Sequence, residues 1–199
     1  MMNNLLAIET SSDVTGVSLI VNGEPIDTSE DIIRSKNLAV WIYDILKKNS
    51  MQVQNLDGIA VDIGPGGFTS LRAGLSIAKG LAMSSSLPII PVNLFNAVAF
   101  DVGNLLQETY IIAMHAYGKK FFLQSFNKTA SVSDASISSD LSVLKGKAVV
   151  GYKLDSDVDC KLNFTPSSVM IGLYAYSNFD YLHTDNISSL ECLYIGSNF

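Results

Sequence analysis

The chain has 199 residues, 48% of them hydrophobic and 16% charged, with a formal net charge of −6. That length supports one large domain or two small lobes, and the apolar content excludes a disordered chain. A bare acidic surface repels polyanions, which argues against tight RNA or DNA binding by this chain alone but leaves open a place in a nucleic-acid pathway.

Leu5-Leu6-Ala7-Ile8 reads as a first strand. Val14 to Val21 reads as a second, with Val17, Leu19 and Val21 on one face, and Asn22-Gly23 predicts a two-residue hairpin turn into Glu24-Pro25-Ile26. From Arg34 to Lys48 the period becomes helical: Leu38, Trp41, Ile42 and Ile45 share a face, and Val40 and Tyr43 lie on the far side among lysines. A strand at 56–63, a helix at about 69–85 and a strand at Ile89-Ile90-Pro91-Val92 complete the first half. This order predicts an α/β fold with a ribonuclease H-like lobe, a mixed sheet with packed helices.

The second half begins with a helix from Leu94 to Leu106, a strand at Ile111–Met114, a turn at Tyr117–Lys120 and a strand from Phe121 to Phe126. The serine-rich stretch from Thr129 to Ser142 reads as a surface connection. Ala148–Gly151 predicts another strand, Pro166 to Ser177 a helix with proline in its first turn, and Leu190 to Ile195 a last strand. The shared opening of the halves suggests two related lobes, 1–100 and a smaller 101–199.

The junction of the 56–63 strand with Gly64-Pro65-Gly66-Gly67 carries the most chemistry. Three glycines allow positive φ and close approach, and Thr69 or Ser70 could cap a helix carrying Leu71, Leu75, Ala78 and Ala82 on one face. Strand, glycine loop and helix N-terminus suit an anion such as phosphate; a plain tight turn fits equally well. The spacing matches neither a Walker loop nor Gly-x-Gly-x-x-Gly.

Leu6-Ala7-Ile8-Glu9-Thr10-Ser11-Ser12, and above all Gly64-Pro65-Gly66-Gly67-Phe68-Thr69-Ser70-Leu71-Arg72-Ala73-Gly74, resemble the TsaB family, which has Ile-Asp-Thr-Ser and Gly-Pro-Gly-Ser-Phe-Thr-Gly-Leu-Arg-Ile-Gly there. Ala78-Lys79-Gly80-Leu81-Ala82 and Pro91-Val92-Asn93 continue the match, which is thin beyond about residue 100: Met114-His115-Ala116 and Leu193-Tyr194-Ile195-Gly196 only approach the family's pattern. The resemblance implies an actin-like, two-lobed fold with a reduced second lobe. It implies a noncatalytic partner for TsaD, the subunit that transfers threonylcarbamoyl to a tRNA adenosine, with the ATPase TsaE joining the pair. In that family the two helices of the first lobe contact TsaD, or a second copy of the protein when TsaD is absent; tRNA is met only through the complex.

On that basis the partner surface is expected at Val40, Tyr43, Lys47, Arg72, Ala73, Ser76, Ile77 and Gly80. Leu38, Ile42, Ile45, Leu71, Leu75, Ala78 and Ala82 can pack on the sheet, leaving Val40, Tyr43, Ala73, Ile77 and Gly80 on other faces, where small residues permit close helix approach. The alternative is that the second lobe covers them.

Thr10, Ser11, Gly64 and Gly66 are the candidate residues for weak ATP or ADP binding, because actin-like proteins hold phosphates in the first hairpin. Against this, no lysine follows to neutralise a phosphate, and Glu9, Asp13 and Asp62 would repel one unless a cation bridged them. A turn held by hydroxyl-to-backbone bonds is the competing reading. No cofactor and no metal is expected: His115 and His183 are far apart, Cys160 and Cys192 show no metal spacing, and Arg34 stands where relatives often carry a histidine. Nothing marks a serine as activated, so an active actin-like nucleotide hydrolase or glycopeptidase is the second reading. Free thiols, the absence of a signal-peptide pattern at Met1-Met2-Asn3-Asn4 and the lack of a membrane-length apolar run predict a cytoplasmic protein away from membranes.

Overall fold

β1 (Asn4–Glu9) and β2 (Thr15–Val21) pair antiparallel, and Asn22 and Gly23, at φ 53° and 82°, turn the chain into β3 (Glu24–Asp31). Positive φ at both central residues is what a twisted two-residue hairpin demands, and asparagine followed by glycine supplies it at least cost. The computed structural model describes residues 3–32, 37–106 and 108–196. Contacts divide the chain into two units: residues 1–94 with 166–193, and residues 95–165 with 194–199.

In the first unit, α1 (Leu38–Lys48), β4 (Gly58–Gly64), α2 (Phe68–Ser85) and β5 (Ile89–Asn93) follow the hairpin. The sheet order is β3-β2-β1-β4-β5, with β1, β4 and β5 parallel. Side chains alternate across this sheet. Leu6, Ile8, Val17, Leu19, Ile59 and Val61 face α1 and α2 and bury Leu38, Ile42, Ile45, Leu71, Leu75, Ala78 and Ala82. On strand positions of the other parity, Ala7 and Ile20 meet Gly172 of a later helix, α4 (Ser168–Ser177), which packs on β1 and β2.

The second unit contains most of α3 (Leu94–Val102), then β6 (Tyr110–His115), β7 (Phe121–Asn127), β8 (Ala130–Ser131), β9 (Ser136–Ser138), β10 (Ala148–Tyr152) and β11 (Leu162–Asn163). Its order, β11-β10-β6-β7-β8, repeats the plan of the first sheet: β6 pairs antiparallel with β7 and parallel with β10, which pairs parallel with β11. The repeat stops at the helices. In place of α1 there is a single 3₁₀ turn, Leu141–Leu144, and residues 153–161 connect β10 to β11 without a helix. Leu144 then covers Ile111, Ala113, Phe121 and Val149. The α/β class and the ribonuclease H-like, actin-like plan of each sheet are thus present, with the second lobe reduced by two helices.

Several expected boundaries move. The start of the first helix at Arg34 lies outside the described residues, and α1 is described from Leu38. Neither Thr69 nor Ser70 caps α2: Gly67 occupies the cap position without a side-chain bond, and the Ser70 hydroxyl instead donates to Gly67 O at 3.0 Å. The helix from Leu94 ends at Val102 rather than Leu106; the next residue, Gly103, still donates its N–H to Ala99 O at 2.8 Å, and a side chain there would meet the carbonyls of Ala99 and Lys128. The serine-rich stretch is exposed but not structureless, since β8 and β9 both add to β7. Pro166 precedes α4 instead of entering it: Ser167 is the cap, accepting the Met170 N–H at 3.2 Å. No strand forms at Leu190–Ile195; one bond, Leu193 N–H to Ile63 O at 2.7 Å, ties this stretch to the end of β4. A short helix, α5 (Phe179–Leu182), was not expected. The division near residue 100 also differs, because 166–193 returns to the first unit, where α4 covers the sheet face left open by α1 and α2.

Candidate functional site

Thr10, Ser11, Gly64 and Gly66 converge at the ends of β1 and β4. Gly64 adopts φ +110°, reachable only without a side chain, and its N–H donates to Asp62 Oδ1 at 2.6 Å. At Gly66 the constraint is space: an added Cβ would lie 2.4 Å from Ser11 Cβ and 2.5 Å from Ser11 O. Gly67 N–H donates to that same Ser11 carbonyl at 2.8 Å. Gly66 and Gly67 therefore have no need of positive φ, and close approach to the first turn, rather than backbone freedom, dictates glycine at position 66.

Beneath the loop lie two fully buried carboxyl groups, Glu9 and Asp62. Glu9 accepts the Ser11 N–H at 3.0 Å, the Ser11 hydroxyl at 2.6 Å and the Ser12 N–H at 3.2 Å. Burial first, and then the neighbouring Glu9, raise the Asp62 carboxyl well above the ordinary carboxylate range. Thr10 presses its hydroxyl against α2, where a Cβ on Gly74 would sit 2.4 Å from Thr10 Oγ1. The pairing of Glu9 with Asp62 escaped sequence reading, because only the parallel register of β1 and β4 brings the two together.

The helix surface is built differently. On α1, Val40 is 55% and Tyr43 61% exposed, and the Lys47 ammonium lies 5.4 Å from the Tyr43 ring centre. On α2, Arg72, Ser76 and Gly80 are exposed, while Ala73 and Ile77 are half-buried at the edge of the core. The Arg72 guanidinium lies over the Phe68 ring at 4.0 Å from its centre, an arrangement that holds a cation on an apolar surface. Phe68 and Met83 add exposed apolar area to α2 that the sequence reading passed over, because both stand outside its core period. The eight expected interface residues thus divide between helices of the same unit, two of them turned partly inward.

The histidines have local roles: His115 meets Gly118 O at 3.1 Å, and His183 stacks on Phe179 and meets its carbonyl at 2.8 Å. Cys192 is buried, its thiol pushed up by burial and by Asp62; Cys160 is half-buried, its thiol pushed up by burial and by Asp159. Among the described residues no helix is long and apolar enough to cross a membrane.

Residues 33–134 match the family model described as TsaD, tRNA N6-adenosine threonylcarbamoyltransferase. TsaB of Haemophilus influenzae is 34% identical over 111 residues, covering 55% of this chain and 47% of that protein. TsaB of Buchnera aphidicola subsp. Acyrthosiphon pisum is 30% identical over 132 residues, covering 64% of this chain and 59% of that one. The chain spans about half the length of the curated relatives it matches. A crystal structure of a Pseudomonas aeruginosa protein, described as similar to the peptidase YeaZ, superimposes with a TM-score of 0.78 over 98% of this chain and 100% of that one, at 16% identity. That likeness bears on the fold alone and agrees with the two-sheet plan. With a matching family model over half its length and TsaB proteins among its relatives, the chain belongs to the TsaB branch of the TsaD-type threonylcarbamoyltransferase family.

Proposed function

We propose that the chain is a noncatalytic scaffold subunit in the synthesis of threonylcarbamoyladenosine on tRNA, and that it binds and positions a TsaD-like transferase through α1 and α2. The observation that carries this reading is the helix pair: a large exposed aromatic and a valine on α1 and, over the same core, an α2 that exposes Gly80 and keeps Ala73 at its edge. Small residues let a second helix pair approach to backbone distance, and an apolar centre is what a stable interface needs. A TsaE-like ATPase joins the pair, a second copy of the chain occupies the surface when the transferase is absent, and tRNA is met through the complex. The acidic net charge supports that last point. No cofactor is needed in this role. Weak ATP or ADP binding at Thr10, Ser11, Gly64 and Gly66 is disfavoured, since the Gly64 and Gly67 amides are already used within the chain.

The test is pull-down of the TsaD-like partner with Tyr43→Asp, with circular dichroism as the folding control. A charge buried in an apolar interface costs several kcal/mol, so the variant should lose the complex and keep its fold. Gly80→Arg should do the same from α2. If both variants bind like the parent, these helices are not the partner surface.

A further inference from the structure

We propose that Glu9 and Asp62 hold one proton between them, carried on Asp62 Oδ2 and donated to Glu9, and that this shared proton fastens the Gly64–Gly67 loop to the turn after β1. The two residues end neighbouring parallel strands. The register pairs Ile8 with Val61, so the next residue on each strand points to the same side of the sheet. Both are fully buried. Asp62 Oδ1 takes the Gly64 N–H, but Oδ2, also buried, meets no donor. Two bare carboxylates side by side away from water would repel each other, and each would carry the desolvation cost of an unpaired charge. One proton turns the repulsion into a hydrogen bond and uses the oxygen that otherwise has no partner.

The donors decide which group carries it. Glu9 accepts the Ser11 and Ser12 amides and, at 2.6 Å, the Ser11 hydroxyl, whereas Asp62 Oδ1 takes the Gly64 N–H and Oδ2 meets no donor. The group with more donors is the acceptor and Asp62 is the acid, the direction in which burial and Glu9 move it. The proton then closes a circuit: the Gly64 N–H donates to Asp62, Asp62 to Glu9, the Ser11 N–H to Glu9, and the Gly67 N–H, where α2 begins, to the Ser11 carbonyl. Among the described residues, Cys192 of the C-terminal stretch also feels the charge of Asp62, together with those of Arg72 and Lys79 of α2 and of Glu191.

Because the folded value of Asp62 is raised, its contribution is complete below the unfolded value near 3.8 and is lost as pH rises through the folded one. Across that window one proton is released on unfolding, so the folding equilibrium weakens up to about tenfold per pH unit. Infrared difference spectroscopy on the full chain tests this at about pH 7, where ordinary carboxyls are ionised. A protonated-carboxyl stretch is expected in the parent and lost in Asp62→Asn, whose amide keeps both hydrogen bonds. That variant should also flatten the fall of the melting temperature between acid and neutral pH. Absence of the band in the parent overturns the shared proton, whatever the variant does. A band that survives Asp62→Asn places the proton elsewhere and overturns the assignment.

Discussion

The two sheets follow the same strand plan, yet only the first has helices between its strands. In the first unit α1 and α2 bury one side against β1, β2 and β4 and leave Val40, Tyr43 and Gly80 outside. In the second a 3₁₀ turn contributes Leu144, and the remaining cover is Leu141, Leu123, Leu154, Val158 and Cys160, all only partly buried. A helix has more faces than a sheet can use, and a turn does not. A helix cover therefore leaves a continuous outer helix surface, which here carries Val40 and Tyr43, whereas the turn leaves only single exposed side chains such as Val143.

The steric constraint at the glycine loop should produce the largest effect. Gly66→Val forces carbon into Ser11 backbone and should cost about 3 kcal/mol or more, read as the shift in denaturant midpoint. Retention of parental stability would mean that the loop and the first turn can separate. Leu144→Ala removes the second sheet's stand-in for a helix and should cost about 2–3 kcal/mol, the low end for a buried leucine because a surface turn can collapse. If that loss is below about 0.5 kcal/mol, the partly buried neighbours suffice and the contrast between the units weakens. Ser167→Ala removes the side-chain cap of α4, the helix that returns to the first sheet, and should cost about 1 kcal/mol in thermal unfolding. The smallest effect has the opposite sign. Nothing lies within 4 Å of a Cβ at Gly80, so Gly80→Ala should stabilise the isolated chain by about 0.5–1 kcal/mol through helix propensity. A loss of stability there would show that the outer face of α2 is packed rather than free.

Much of the fold was legible because its signals are local. The apolar run of β1, the period of two in β2, the Asn22-Gly23 turn and the change of period at α1 each follow from a few adjacent residues. The same holds for the core faces Leu38-Ile42-Ile45 and Leu71-Leu75-Ala78-Ala82. Errors fell where distant chain decides. Leu190–Ile195 has strand-like composition but meets β4 through one bond from Leu193, and Pro166–Ser177 belongs to the first unit because its face fits Ala7 and Ile20. The shortness of β8 and β9 hid them among serines, since pairing with β7 comes from register and not from side-chain pattern.

Sequence alone determined the longer strands and helices, the core faces of α1 and α2 and the position of the glycine loop, because strand and helix periods and turn residues are properties of neighbouring residues. Only the tertiary structure decided what those glycines are for. Gly66 is small because Ser11, far away in the chain, lies against it, and Glu9 meets Asp62 because parallel strands align residues that no local spacing relates. Close approach and shared burial are relations between segments, so they exist only once the sheet has formed.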